Sequence, residues 1–281
     1  MDEKVHFSAR PELRNPTMVV GWSMDAGRLG WRVTDYLVRK LGGQAFCEIE
    51  PADFFPLNGV TIVNDIVFFP ESRFYACPEK DLVVFRSTPP SYEWYQFLSL
   101  ILDVAQDYCH VREIYTVGSM IAMGAHTAPR QFFGTMGSPE LKMELSGYNL
   151  TRETDFETPP GGRPTLNSFF LWAAKRRGIP SANLWIPIPF YLVSADDPEA
   201  YRGVLDFLSD RLRLGLDLTE LDEQAGLQNE RIDQIRAAHP EIDNIIGKLE
   251  RGLRLAEGEG EKLAKEVGDF LREAGSGNSS G

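Results

Sequence analysis

The sequence predicts an α/β fold, and three observations lead to that prediction. Between residues 17 and 217, short runs rich in Val, Ile, Phe and Tyr alternate with segments of helical periodicity. Two of these runs, at 82–85 and 114–117, are apolar at consecutive positions, which is typical of strands covered by helices on both faces. Gly, Pro or Asp lies at the ends of most runs, where turns are expected. We therefore expect a sheet with helices packed on both sides.

Candidate elements follow one another along this part of the chain. The predicted strands cover residues 17–21, 44–50, 59–69, 73–77, 81–87, 113–118, 131–136 and 183–192. The predicted helices cover residues 28–41, 91–109, 139–146, 165–177 and 198–214. Ser91 and Ser138 occupy N-cap positions, and Gly42, Gly147 and Gly178 occupy positions where a glycine commonly ends a helix.

After residue 217 the sequence becomes more charged and helical in pattern. Apolar residues recur at spacings of three and four on both sides of Pro240, which predicts two heptad seams with a break at His239-Pro240. Gly258 and Gly260 predict a further bend. We predict an α/β domain over 1–217, an acidic helical appendage over 218–274 that is a helical hairpin or a bent helix, and a disordered tail over 275–281. The seams fit either the chain's own domain or a partner helix.

Charge and cysteine content limit the classes of partner. Lys and Arg number 29 against 41 Asp and Glu, a net charge of -12. Because no basic run is present, we expect no nucleic acid and no membrane among the partners. The first residues lack the apolar segment of a secretory signal, so we expect a cytoplasmic protein. Cys47, Cys77 and Cys109 form no CxxC pair and are expected to be reduced thiols.

The sequence lacks the motifs of common catalytic and cofactor sites. It contains no GxxxxGK[ST] loop, no GxGxxG after a predicted strand, no GxSxG elbow and no HExxH. No Cys and His residues have metal-ligand spacing. We therefore expect no cofactor and no metal, and we interpret His6, His110 and His239 as solvent-exposed or helix-capping residues.

Residues 118–130 form the first candidate site. The segment begins where a predicted strand ends, and open α/β sheets bind ligands at the carboxyl ends of their strands. Gly118 frees backbone donors, Arg130 offers a planar fork for phosphate or carboxylate, and His126 would add a second cation near its ordinary pKa of about 6.5. The alternative is that these residues have a structural role only: Gly118 permits a tight turn, and Arg130 forms an ion pair with an acidic neighbour.

Two further loops are candidates for the same kind of site. Gly21 and Gly27 permit a sharp turn after the first predicted strand, and Asp25 between them is either a helix N-cap or a polar residue at the sheet edge. Gly161 and Gly162 precede a predicted helix, where a glycine pair either cradles a phosphate or forms a bare turn.

Five segments together resemble the PAC2 family, which takes its name from a proteasome assembly chaperone subunit. They are GWSMDAG at 21–27, FCEIEPADFF at 46–55, the 118–130 loop, the stretch at 159–192 and the terminal acidic helices. The resemblance covers about residues 15–240 and lies in overall layout, not in a short catalytic motif. It implies a three-layer α/β/α domain similar to the phosphorylase/hydrolase-like fold. It also implies homo-oligomers, with trimers among bacterial members.

The sequence departs from the family pattern in two places. The compact PHTRP run of the family reads GAHTAPRQ here, with Ala128 and Pro129 before Arg130. Archaeal relatives that dock on proteasome rings end in a hydrophobic residue, Tyr and one more residue, whereas this chain ends in Ser280 and Gly281. The second departure speaks against docking by that route.

Two classes of function remain. The first is a non-enzymatic, chaperone-like protein that associates with itself and binds a protein client through apolar surface and its helical appendage. The second is a phosphorylase- or hydrolase-type enzyme that acts on a small anionic substrate with His126, Arg130 and Asp25. The missing motifs favour the first class. The second requires these three side chains to converge on one pocket.

Overall fold

Strands and helices alternate along the part of the chain that the computed structural model describes, residues 3–56, 60–151, 155, 157–158 and 160–276. The strands are β1 (Val5–Phe7), β2 (Thr17–Trp22), β3 (Gln44–Ile49), β4 (Thr61–Val63), β5 (Ile66–Phe68), β6 (Ser72–Cys77), β7 (Leu82–Ser87), β8 (Glu113–Ala122), β9 (Phe133–Met136) and β10 (Ser181–Pro189). The helices are α1 (Leu29–Lys40), α2 (Trp94–Asp103), α3 (Pro139–Glu144), α4 (Leu166–Arg176), α5 (Pro198–Leu212), α6 (Thr219–Ala238), α7 (Pro240–Glu250) and α8 (Glu259–Ser276).

The predicted α/β class is confirmed, and several local signals act as expected. Ser138 caps α3 by accepting a hydrogen bond from the Leu141 N–H at 3.3 Å. Gly42 and Gly178 follow α1 and α4 at positive φ. The chain breaks where Pro240 predicted it, because α6 ends at Ala238 and Pro240 begins α7.

The prediction of a single strand over the apolar run at 59–69 is wrong, because its described residues form a hairpin, and residue 59 lies outside the described residues. β4 and β5 pair antiparallel, with Ile62 opposite Val67. Asn64 and Asp65 form the turn between them at φ of 50° and 62°. Asn and Asp are the residues with side chains that adopt this left-handed conformation most readily, and two in a row match a type I′ hairpin turn.

The predicted helix at 91–109 differs from the structure at both ends. α2 begins at Trp94, and the backbone N–H of Ser91, the predicted cap, instead donates to the Phe54 carbonyl at 2.8 Å. After Asp103 the chain continues as a π-helical turn over 104–108. β8 is longer than predicted and reaches Ala122, because its pairing with β10 continues to that residue.

Eight of the strands form one sheet in the order β1-β3-β6-β7-β2-β8-β10-β9. The central strands β7, β2, β8 and β10 are parallel, whereas β1, β3, β6 and β9 pair antiparallel with their neighbours. The carboxyl ends of the four parallel strands therefore meet at one edge of the sheet. The connection from β3 to β6, which contains the hairpin, leaves from the same edge, since Ser72 at the start of β6 lies opposite Ser87 at the end of β7.

Two hydrophobic clusters, one on each face of the sheet, give the molecule three layers. In β2, Val19 belongs to the cluster that contains residues of α1 and α5, whereas Met18 and Val20 belong to the cluster that contains residues of α2 and α4. This division follows from the alternation of side chains along a strand. The expected α/β/α layering is confirmed, and similarity to the phosphorylase/hydrolase-like fold stays a prediction.

The tail consists of three helices, α6 to α8, and not of a hairpin or one bent helix. Leu221, Ile232, Ile246 and Leu263 belong to the same hydrophobic cluster as Val19 of the central sheet. The heptad seams therefore pack in cis, against the chain's own α/β layers. That residues 1–217 fold as a separate unit stays a prediction. Of the predicted disordered tail over 275–281, residues 275 and 276 are the last two of α8, and the other five lie outside the described residues.

A pair of glycines lets α1 lie directly on β2. A Cβ atom at Gly21 would come within 2.1 Å of the Gly30 carbonyl oxygen, and one at Gly30 would come within 2.9 Å of the Trp22 nitrogen. The atoms in the way belong to the backbone, which cannot move aside as the end of a side chain can. The close approach fixes the start of α1 against the carboxyl edge.

We expect Gly21→Ala to lower the free energy of unfolding by about 2 kcal/mol or more, because overpacking here displaces backbone. Gly226→Ala in α6 is the matched control, since a Cβ there meets no atom within 4 Å. It should be neutral or stabilise by about 0.5–1 kcal/mol, as alanine suits a helix better than glycine. Urea unfolding of both variants checks this, and a Gly21→Ala variant as stable as the wild type would contradict it.

Candidate functional site at the carboxyl edge of the sheet

Arg130 and Asp197 form a buried ion pair at the carboxyl edge. Their side chains are 9% and 0% exposed, and Nη1 of Arg130 donates to Oδ2 of Asp197. The other oxygen of Asp197 accepts the Ala200 N–H at 3.2 Å and so caps α5. The fork of Arg130 thus faces a carboxylate of its own chain, and its buried Nε has no hydrogen-bond partner among the described residues.

His126 lies buried four residues before Arg130 in sequence. The hydroxyl of Tyr191 accepts the His126 backbone N–H at 2.7 Å and lies 2.7 Å from its Nδ1. Burial, together with the positive charges of Arg236 and Arg130, lowers the pKa of His126 to about 4. The expectation that this ring gains a proton near pH 6.5 is therefore wrong, because the sequence did not reveal its burial.

The tail helices contact the 118–130 segment at Thr127. The Thr127 hydroxyl donates to Glu250 at the end of α7 at 3.1 Å, and Arg236 of α6 holds the same carboxylate at 2.8 Å. Hydrogen bonding to Arg236 is the main reason why the pKa of Glu250 lies below its ordinary value. The loop predicted as an anion site is thus joined to α6 and α7 through the Glu250 carboxylate, and whether it binds an anion stays a prediction.

Asp25 lies at the same edge, at the end of β2. Its Oδ2 accepts the Gly30 N–H at 3.0 Å, so the carboxylate satisfies a free donor in the first turn of α1. Burial raises the pKa of Asp25 to about 7, against the opposing effects of the Gly30 N–H and the nearby Ser119 hydroxyl. Oδ1 of Asp25 and Oγ of Ser119 are buried and lack a well-formed hydrogen bond in the described part of the chain.

The predicted glycines have separate places in the fold. Gly27, at φ of 63°, lies beside Asp197, since a Cβ there would be 3.6 Å from the Asp197 Cβ. Gly118 lies within β8, where a Cβ would come within 2.7 Å of Asn167 Nδ2. Gly161 has φ of 79° in an exposed turn where a Cβ would meet no atom within 4 Å, and Gly162 follows it, also exposed. The edge thus brings together Asp25, Gly27, His126 and Arg130, whereas Gly161 and Gly162 lie in a turn of their own.

A buried polar network next to this edge was missed from the sequence. Asn167 of α4 accepts the Trp22 indole N–H at 2.7 Å and donates to Asn183 of β10 at 3.0 Å. Asn183 also accepts the Thr116 hydroxyl at 2.9 Å. The network joins α4 to three neighbouring strands. The sequence signal for this network was Asn167, a polar residue at an inward position of the apolar helix α4. Its hydrogen-bond partners could not be predicted, because they lie far from it in sequence.

The described residues supply no metal-binding cluster. They include no group of three or more His, Cys, Asp or Glu side chains placed to hold a metal ion. Cys47, Cys77 and Cys109 are free and buried, and burial raises their pKa values to about 12, 11 and 12. None of the helices in the described chain has both the length and the apolarity needed to cross a membrane.

The outer surface of the carboxyl edge is apolar. Ile62, Val63, Ile66, Val67, Phe68 and Phe69 of the hairpin segment are all 43% exposed or more, with Ile62 the highest at 72%. Met120, Ile121 and Met123, which we name the methionine segment, are exposed at the end of β8. Met24 is exposed after the neighbouring strand β2. The edge thus has buried polar groups on its inside and apolar side chains on its outer surface.

Comparisons with known proteins agree with this architecture. The PAC2 family profile matches residues 18–236. A PAC2 family protein from Streptomyces avermitilis is 23% identical with a TM-score of 0.68, and the match covers 78% of this chain and 95% of that one. A proteasome-assembly chaperone homologue from Mycobacterium tuberculosis is 22% identical with a TM-score of 0.69, over 82% of this chain and 99% of that one.

A third solved structure comes from an archaeon. It is PbaB of Pyrococcus furiosus, an archaeal proteasome activator, which is 22% identical with a TM-score of 0.67 over 83% of this chain and 98% of that one. A comparison with curated proteins gives no match. At these identities the similarity to solved structures concerns the fold.

We expect stability to depend on the protonation of Asp25. Its pKa of about 7 in the folded chain exceeds the ordinary 3.8, so the folded state holds more protons than the unfolded state between these values. The stability contributed by Asp25 should therefore fall by about 2–3 kcal/mol as the pH rises from 5 to 7, at about 1.4 kcal/mol per pKa unit, and then stay level. His126 acts in the opposite direction between about pH 4 and 6.5, because its pKa of about 4 in the folded chain lies below its ordinary value. The contribution of Asp25 is therefore the difference between the wild type and a variant that lacks its carboxylate.

Asp25→Asn should remove the Asp25 part of the pH dependence and leave the rise with pH that His126 causes, because the amide keeps an acceptor for the Gly30 N–H and does not ionise. Urea unfolding at pH 5, 6, 7 and 8 measures it, with Asp206→Asn, an exposed carboxylate on α5, as the control for loss of one charge. Parallel pH profiles for wild type and Asp25→Asn would show that Asp25 does not titrate in this range.

Proposed function

Because the chain belongs to the PAC2 family, we propose that it is a non-enzymatic, chaperone-like protein that forms homo-oligomers and binds a protein client. The exposed apolar hairpin β4–β5 is the observation that carries this proposal. Large apolar patches on a soluble protein mark surfaces that contact other proteins. The hairpin is apolar on both faces, with Ile62 and Val67 on one and Val63, Ile66 and Phe68 on the other.

A hairpin of this kind needs a partner surface. An isolated two-stranded hairpin is marginally stable in water, and this one pairs with no strand of the main sheet. Both of its edges therefore present free backbone donors and acceptors. A second copy of the chain offers a complement in the methionine segment, where flexible methionine side chains adapt to the shape of a partner.

Two different apolar surfaces on one chain favour a head-to-tail assembly. If the hairpin of one copy contacts the methionine segment of the next, the interface is heterologous, and such interfaces form rings when the rotation closes. A trimer is the ring that we infer. Apolar surface that the ring leaves open would then be available to a client protein.

The relatives support a role in protein assembly. The similar structure from M. tuberculosis is that of a proteasome-assembly chaperone homologue, and the one from P. furiosus is that of a proteasome activator. The paired interior of the carboxyl edge also favours binding over catalysis, since Arg130 and His126 are held by Asp197 and Tyr191. The three buried free thiols suit a reducing compartment, and we infer the cytoplasm.

We expect the wild type at micromolar concentration to have a mass that is a multiple of 31.6 kDa by light scattering. Ile62→Asp and Val67→Asp should shift the protein to the monomer, because a buried charge in the interface costs several kcal/mol. Leu253→Asp is the matched control, since Leu253 is also exposed, at 52%, but lies between α7 and α8. It should leave the mass unchanged.

Leu253→Asp should melt at the same temperature as the wild type. Ile62→Asp and Val67→Asp should still melt cooperatively, because the substituted side chains are exposed within one chain, at a temperature lowered only by the loss of association. A wild type that is monomeric throughout, or hairpin variants that keep the oligomer, would overturn the assembly that we propose.

A further inference from the structure

An arginine-rich groove of about 620 Å³ lies between α1, the turn at 194–196, α6 and the end of α8. Neither the hairpin nor the methionine segment contributes to it. Its charged lining consists of the arginines 28, 32, 39, 231 and 272 and the carboxylates Asp35, Asp196 and Glu220, with no lysine. Positive groups therefore exceed negative ones in this groove, although the whole chain carries a net charge of -12.

Each carboxylate of the groove already has a partner. Asp196 accepts hydrogen bonds from Nε and Nη2 of Arg32 at 3.0 and 2.5 Å. Glu220 accepts from both terminal nitrogens of Arg39, at 2.8 and 3.2 Å. Asp35 accepts from Arg86, which lies outside the groove, at 2.7 Å. These pairs fix the positions of Arg32 and Arg39 and neutralise the negative charges.

Three arginines keep unused donors. Arg231 of α6 has no hydrogen-bond or ion-pair partner within the described part of the chain. Arg28, 55% exposed, makes one contact of 3.3 Å to Asp196, a carboxylate already held by Arg32. Arg272 bonds only within its own helix, to the carboxylate of Asp269 and to a backbone carbonyl one turn earlier. The three come from distant parts of the sequence, and the fold brings them to one groove.

The chemistry of this lining matches a phosphate. Guanidinium groups bind phosphate oxygens in pairs and hold their charge at any physiological pH. A groove of this volume is the size of small-molecule sites, and Leu227 and Leu271 add an apolar portion to the lining. We propose that the groove binds a small phosphate-bearing molecule with an apolar part, held by Arg28, Arg231 and Arg272.

Such a ligand would connect α1 to the tail. Arg28 lies directly before α1, whereas Arg231 and Arg272 belong to α6 and α8. A dianion between them offsets the repulsion of three like charges and stabilises the packing of the tail on the α/β layers. The tail in turn contacts Thr127 of the 118–130 segment through Glu250, so a ligand that holds the tail in place also stabilises this contact.

The test is isothermal titration of the full chain with phenyl phosphate at constant ionic strength. Arg231→Gln and Arg28→Gln should each weaken binding about tenfold, the loss of one charge-assisted contact. Arg254→Gln, an exposed arginine in the link between α7 and α8, is the control and should bind as the wild type does. Inorganic phosphate should bind more weakly than phenyl phosphate because it cannot contact Leu227.

Three results would overturn the proposal. The first is that the wild type does not bind phenyl phosphate. The second is that the groove variants bind it with the same affinity as the Arg254→Gln control. The third is that hexaglutamate binds more tightly than phenyl phosphate, which would assign the groove to an acidic protein segment. Arg28→Lys adds a second check: it keeps the charge but loses the fork, and binding intermediate between wild type and Arg28→Gln is expected.

Discussion

The buried ion pair between Arg130 and Asp197 is the constraint on which the carboxyl edge depends. Taking either charge out of water alone costs several kcal/mol, so neither side chain can be buried without the other. Arg130 ends the segment after β8, and Asp197 caps α5. The pair therefore fixes that segment to the start of α5. Tyr191 then reaches His126, and Glu250 of α7 reaches Thr127.

This closure decides what the edge can do. In open α/β sheets the carboxyl edge is the usual place for ligands. Here Asp197 holds Arg130, Tyr191 holds His126, and α6 and α7 join the segment after β8 through Thr127. Nε of Arg130, Oδ1 of Asp25 and Oγ of Ser119 stay buried without a well-formed hydrogen bond in the described part of the chain. What remains outside is the apolar hairpin and the methionine segment, which suit contacts with protein.

The sequence predicted the parts of the fold that depend on local pattern. Central strands such as β7 and β8 are largely apolar on both faces because helices cover both sides of the sheet. Pro240 separates α6 from α7 because proline is tolerated in the first turn of a helix but not in its interior. The hairpin was missed because a run of apolar residues at 59–69 has the composition of a buried strand. The only local sign of its turn was the pair Asn64 and Asp65.

The site depended on distant contacts, which the sequence could not supply. Arg130 and Asp197 are 67 residues apart, so the pattern left a ligand and an acidic neighbour as open alternatives for the arginine. The spacing of apolar residues in the heptad seams is the same for a helix that packs on its own chain and for one that packs on a partner chain, so the sequence could not decide between them. The arginine groove was invisible for the same reason, since its arginines are spread from position 28 to position 272.

The most direct measurement is amide hydrogen exchange, followed by mass spectrometry, on the protein at high and at low concentration. If the outer carboxyl edge is the contact surface, amides of β4, β5 and residues 119–123 should exchange slowly in the concentrated protein and much faster after dilution. Amides of α7 should exchange equally at both concentrations. Rapid exchange of the hairpin at every concentration, with protection changing elsewhere, would contradict the assignment of this edge to protein contacts.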